Sequence, residues 1–389
     1  MTDITDRPNT TTAPARAYQL QFLRFLAFFM IFTWHAFLHE LSWFPAVNGA
    51  ANAVVFFFIL SGFASGYSSY DKNVDFSVKA SLEYLWKKLK KFYPLYIVMM
   101  LLSCLYQGIP EMIIYGDIGG LKYMAKLFMR FALMLQSWFP DVYFMFNGVG
   151  WFLSTIMFLY LFNVPLRALM CRIRDRKNSR LIYAVIAVVS LAIMIVYCWL
   201  MRGTNTEFTE YVFPPSRLGE YISGMALGYL IADMSKSVGA GKDMIDGEPV
   251  RKISIGFTIA EILAIVAWVA WLYVPVPDWQ YRMVRWLIPN AILIVIFAFG
   301  RGLLSQIFRN KGLVWLGDIS FECFMIHAVV IGIFVKVRDL LSDRMMLPGF
   351  VFTTTGIFFI CLAITLPVAA LVHYLSSRRK NKSKMQAAD

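Results

Sequence analysis

With 389 residues, of which 59% are hydrophobic and only 16% charged, the chain is too apolar for a soluble globular domain, in which about 25% of residues are charged. Its formal net charge of +13 would suit nucleic acid, but basic residues of a membrane protein collect in its cytoplasmic loops, so their positions decide between the two readings. The five cysteines stand singly, without C-x-x-C spacing, which argues against a disulfide framework and against a metal site.

Residues 1–16 are polar and predict a cytoplasmic tail. From there, runs apolar enough to cross a ~30 Å hydrocarbon core predict helices over 17–38, 50–69, 92–107, 150–170, 181–200, 216–234, 253–274, 283–300, 313–335 and 348–375. The expected fold is therefore all-α: a polytopic membrane helix bundle, 17–375, of about ten transmembrane helices, with a basic cytoplasmic tail over 376–389. The first run is longer than a signal-peptide core and lacks a small-residue cleavage site, so it reads as a retained span.

Lys122 to Trp138 is helical in pattern but does not fit the alternation of sides. Lys122, Lys126 and Arg130 fall on one face, and Leu127, Phe131 and Met134 on another. That spacing predicts an amphipathic helix on the outer interface, with an eleventh span as the alternative. The polar insert from Asp233 to Lys252 reads as a mobile cytoplasmic loop. With the amino terminus inside, the inner segments hold most of the 37 basic residues, including Lys87, Lys88, Lys90 and Lys91 and the run Arg172 to Arg180. Both termini are then cytoplasmic, the location is the cell membrane, and no nucleic-acid partner is needed.

The first span carries Arg24 and His35, and ionisable groups inside a bilayer are costly enough to face a cavity or a partner. Eleven residues separate them, a rise of about 16 Å and close to three full turns, so they share one face at two depths and could open on one internal passage. The alternative has Arg24 snorkelling to headgroups and His35 bonded between helices.

Six stretches resemble, in order, the acyltransferase 3 family: Arg24-x10-His35; FFFILSGF over 56–63; KKLKKFYPLY over 87–96; WFLS from Trp151 through Tyr160; RLGE from Arg217 to Glu220, followed by Gly224 and Met225; and LGDISFECFMIH over 316–327. The resemblance covers essentially the whole chain. Two departures are the lysines where the family's basic loop usually has arginines, and the absence, after the last span, of the hydrolase-like domain that some members append. Lysine binds phosphate as a point charge, without the bidentate fork.

The resemblance implies an O-acyltransferase that carries an acyl group, acetyl being expected, from cytoplasmic acyl-CoA to a hydroxyl of a carbohydrate or surface glycan. It places the catalytic role on His35, an imidazole suited to general-base work near neutral pH. His327, at similar depth, would orient the acceptor or stabilise the oxyanion, or simply bond between helices. Arg24, Lys87, Lys88, Lys90 and Lys91 would attract the phosphates of the acyl-CoA donor, although lysines beside a span also satisfy topology and bind anionic lipid. Trp151, Arg217 and Glu220 are candidate acceptor-binding residues. For the last two, mutual neutralisation is the plainer reading, and for Trp151 an aromatic anchor. Ser61, Gly62 and Gly224 suit close helix packing; His39 and His373 receive no role. Direct transfer and an acyl-histidine route stay open. A transporter or flippase for lipid-linked sugars is the rival class, disfavoured by the lack of an internal repeat, and a glycan polymerase or ligase is a third.

Overall fold

The computed structural model describes residues 17–38, 49–108, 118–237, 244–245, 248–249, 252–276, 283–342 and 354–385. They form a helical membrane bundle. Its helices are α1 (Gln19–Leu38), α2 (Gly49–Tyr67), α3 (Val78–Ser103), α4 (Ile118–Ala132), α5 (Trp151–Leu161), α6 (Asn163–Arg174), α7 (Ser179–Met201), α8 (Leu218–Ser237), α9 (Ile255–Trp271), α10 (Val284–Ala298), α11 (Leu303–Phe308), α12 (Lys311–Asp318), α13 (Ser320–Ser342) and α14 (Thr354–Met385). The two-residue strands Met244–Ile245 and Glu248–Pro249 pair antiparallel. Residues 238–243, 246–247 and 250–251 of the polar insert, like residues 1–16 and His39, lie outside the described residues.

Every predicted span meets a helix, and the differences have local causes. Among the described residues, five helical segments are long and apolar enough to cross a bilayer, six if the bent pair α5/α6 counts as one span. The predicted number was about ten. Polar side chains lower the apolarity of α1 (Gln19, Gln21, Arg24, His35) and α8 (Glu220, Ser223, Asp233), and α9 and α10 have only 17 and 15 residues. The 46° bend between α5 and α6 follows from Pro165, which lacks an N–H and whose ring crowds the carbonyl of Leu161. Exposed large apolar side chains, such as Leu181 and Val188 on α7, Ile259 and Val266 on α9, and Phe359 and Leu371 on α14, give the outer faces the character that lipid requires.

Helix α3 begins well before the predicted 92. Ser77 caps it, its side chain accepting from Ala80 N at 3.0 Å, so the basic run from Lys87 to Lys91 is helix rather than loop. On α4, Leu127 and Phe131 are buried while Lys122 and Lys126 are exposed, and Met134, just past its end, is buried too. The expected division of faces holds. Helix α14 continues through Met385, so most of the expected carboxy-terminal tail is an extension of the last span.

Helices α2 and α8 meet at the centre of the bundle. A Cβ on Gly62 would strike the backbone of Tyr221 and Met225, and one on Gly224 the backbone of Ile59 and Phe63. Glycine at these points lets two backbones touch, as small residues do between membrane helices. At one end of the bundle, Arg174 Nη1–H donates to Tyr70 O at 2.7 Å, Tyr70 donates to Asp233, and Arg180 pairs with Asp233 at 2.5 Å. These bonds brace the loop after α2. Burial, then the hydrogen bond to the Asp233 carboxylate, pushes the Tyr70 phenol well above its ordinary pKa.

Candidate active site

His35 and His327, far apart in sequence, meet between α1 and α13. His327 Nε2 lies 3.4 Å from His35 Nδ1, with ring centroids 5.0 Å apart and planes inclined at 76°. His327 is fully buried, ringed by Phe28 at 5.7 Å, Phe32 at 6.1 Å and Phe324 at 5.9 Å. Its Nδ1 faces Phe324 O at 2.7 Å and Cys323 O at 3.3 Å. A carbonyl only accepts, so Nδ1 carries the proton and Nε2 the lone pair. His35 Nδ1 faces Ile31 O at 2.8 Å, and the same reasoning puts its proton on Nδ1 as well. The Nδ1–H of His35 therefore points at two acceptors, Ile31 O and His327 Nε2, and its lone pair sits on Nε2, the nitrogen a general base uses.

Arg24 lines a cavity of about 900 Å³ that also reaches Phe57, Phe152 and Phe324, within the range of small-molecule and cofactor sites. Arg24, Lys72, Lys88, Lys91 and Arg167 supply its positive charge, and Asp318, Glu322 and His373 face it from α12, α13 and α14. Arg24 Nη1–H donates to Gln21 Oε1 at 2.8 Å. The Lys88 ammonium stands 4.8 Å over the Tyr160 ring and 5.2 Å over the Tyr84 ring. His373 Nδ1–H donates to Glu322 Oε1 at 3.1 Å. Such a wall of cations in a concave, half-enclosed space attracts a polyanion.

Of the four lysines named from the sequence, the structure brings two to this cavity. Because α3 is already helical there, Lys88 and Lys91, three apart, share the face turned to the cavity. Lys87 and Lys90 fall on the exposed side, where the Lys90 ammonium lies 5.0 Å over the Trp86 ring. Trp151, Arg217 and Glu220 do not line the cavity either. Arg217 and Glu220 are fully buried and joined at 2.7 Å, Arg217 Nε–H donates to Tyr211 O at 2.9 Å, and its guanidinium lies 4.9 Å over Phe58. Trp151, 5% exposed, packs on Tyr211 with centroids 4.8 Å apart. These three form a sealed joint between α2, α5 and the start of α8.

The single open passage expected from Arg24 to His35 is also corrected. The two do share a face of α1, but Phe28 and Ile31 stand between them there, and both are buried. Phe57, Phe152 and Phe324 form an apolar part of the cavity wall, with ring centroids 5.4–6.4 Å apart. Phe324 both lines the cavity and packs on His327, so the aromatic layer that it forms with Phe57 and Phe152 stands beside the histidine pair. Sequence reasoning passed over Arg167, Tyr84 and Glu322 as cavity residues. Arg167 lies within a predicted span, a signal that could have found it.

Among the described residues, no group of three or more His, Cys, Asp or Glu side chains is placed to hold a metal ion. No curated protein and no solved structure matches the chain. A family profile described as an acyltransferase domain matches residues 17–374, nearly all of the described helices with their histidine pair and basic cavity, and the chain belongs to this acyltransferase 3 family.

Proposed function

We propose that this membrane acyltransferase takes its acyl group, acetyl for preference, from cytoplasmic acyl-CoA and delivers it to a hydroxyl of a carbohydrate or surface glycan. The observation that carries the reading is the histidine pair, with the basic nitrogen of His35 fixed as Nε2 by the contacts of Nδ1 and a cationic cavity one aromatic layer away. Lys88, Lys91, Arg167 and Arg24 would hold the phosphates of the donor, and the part of the cavity lined by Phe57, Phe152 and Phe324 would take its pantetheine arm. Both termini on the cytoplasmic side would open this cavity to the cytosolic pool.

In the transfer, His35 Nε2 accepts the proton of the acceptor hydroxyl as its oxygen bonds to the thioester carbon. The carbon–sulfur bond then breaks, and the leaving thiolate takes that proton to give CoA and an O-acyl ester. While His35 is protonated, Ile31 O and His327 Nε2 both accept from its Nδ1–H, which holds the ring and spreads its charge. His327 on this reading is a positioning residue, a narrower role than binding the acceptor or the oxyanion. The acceptor would approach from the His35 side, where the following segment, 39–48, lies outside the described residues.

The test is purified protein with labelled acetyl-CoA and a panel of glycans. His35→Ala is expected to lower transfer by about 10²–10⁴-fold, the usual contribution of a general base, with donor binding kept. Arg24→Ala is expected to weaken donor binding. Undiminished transfer by His35→Ala would remove the base from the scheme.

A further inference from the structure

Phe57, Phe152 and Phe324 form an aromatic layer on the cavity wall, next to the histidine pair. Phe152 and Phe324 lie 5.4 Å apart, Phe57 and Phe152 6.2 Å, and Phe57 and Phe324 6.4 Å, so each ring touches the other two. All three line the cavity, and on the far side Phe324 rests 5.9 Å from His327. Phe152 is backed by Phe58 at 4.7 Å, and Phe28 and Ile31 fill the neighbouring face of α1. No polar side chain takes part in the triangle. The three rings offer apolar contact to an acyl chain and no hydrogen bond to a phosphate or an amide.

Resting on the acyl-CoA reading above, we propose that Phe57, Phe152 and Phe324 set the size of the acyl group the enzyme accepts. A reacting thioester must come into contact with the hydroxyl held by His35, which requires its acyl group to part these rings. A two-carbon acyl group displaces them least. Each added methylene must either push a ring into its packed neighbours or stay on the cavity side, out of reach. Close-packed interiors resist such insertion, so the penalty grows with chain length and falls on transfer rather than on the binding of the nucleotide end, which the cations would hold.

Wild type, Phe57→Leu and Phe152→Leu are to be compared, purified in the same detergent, for CoA release from acetyl-, butyryl- and hexanoyl-CoA with one acceptor preparation. Neither substituted ring touches His327, and leucine keeps the layer apolar. The kcat/KM ratio of butyryl- to acetyl-CoA, which differ by two methylenes, is expected to rise at least on the order of tenfold in at least one variant, the lower end of what a methylene carries in an apolar pocket, with KM for acetyl-CoA little changed. Ratios equal to wild type in both variants, with both still melting at a higher temperature when CoA is added, would overturn the proposal and leave the donor reading intact. Failure of CoA to stabilise even the wild type, together with no release from any thioester, would overturn the donor reading and the size filter with it.

Discussion

A lysine's use is decided by its place on the helix. Lys88 and Lys91 face the cavity and Lys87 and Lys90 do not, although the four share one sequence motif. Lys88→Ala or Lys91→Ala is therefore expected to raise KM for acyl-CoA about tenfold, the weight of one charged hydrogen bond, while Lys87→Ala and Lys90→Ala leave it within about twofold. Steady-state kinetics at fixed acceptor makes the comparison. Equal effects of all four would mean that the basic run attracts the donor as a diffuse field. From sequence the four were indistinguishable, because the helix was expected to start only at Phe92. The histidines show the reverse: His35 was legible as an ionisable group inside a span, and His327 as its equal in depth, yet only the fold reveals that one accepts a bond from the other.

Among the elements, the contact of α2 with α8 is the one that a single atom can disturb. Gly224→Ala puts a methyl group against the backbone of Ile59, which cannot swing aside as a side chain would. Overpacking of this kind costs about 1–3 kcal/mol. A lowered unfolding temperature in detergent is expected, while Gly148→Ala, whose added carbon would meet only Phe144 Cβ at 4.0 Å, serves as the control with little change. An unchanged melting temperature for Gly224→Ala would mean that the helices separate at no cost. The role of Gly62 and Gly224 in packing was readable from the sequence, since small residues inside apolar runs have few other uses. The break at Phe162 was not anticipated: the run 150–170 is apolar enough to read as one span despite Asn163 and Arg167, and hydropathy is blind to the clash that Pro165 makes with the preceding turn. The buried Arg217–Glu220 pair was foreseen as mutual neutralisation, but its enclosure by Phe58 and Tyr211, on other segments, required the fold.

On the scale of the whole molecule, the bundle divides into a cationic cavity, an aromatic layer and a histidine pair, arranged along α1 from Arg24 to His35. The all-α membrane architecture followed from composition, and the order of spans from apolar runs. The division itself did not, because the residues that close the cavity, Phe57, Phe152 and Phe324, sit on three different helices and look like any other phenylalanines of a membrane span. An open channel was the expectation; packed rings beside His327 are the finding. The most direct test of the account is the structure of the protein with a non-hydrolysable acetyl-CoA analogue. The account predicts phosphates against Lys88, Lys91 and Arg167, the three rings parted, and the acyl carbonyl within one hydroxyl's reach of His35 Nε2. A nucleotide bound away from this cavity, or an acyl group held behind three undisplaced rings, would contradict it.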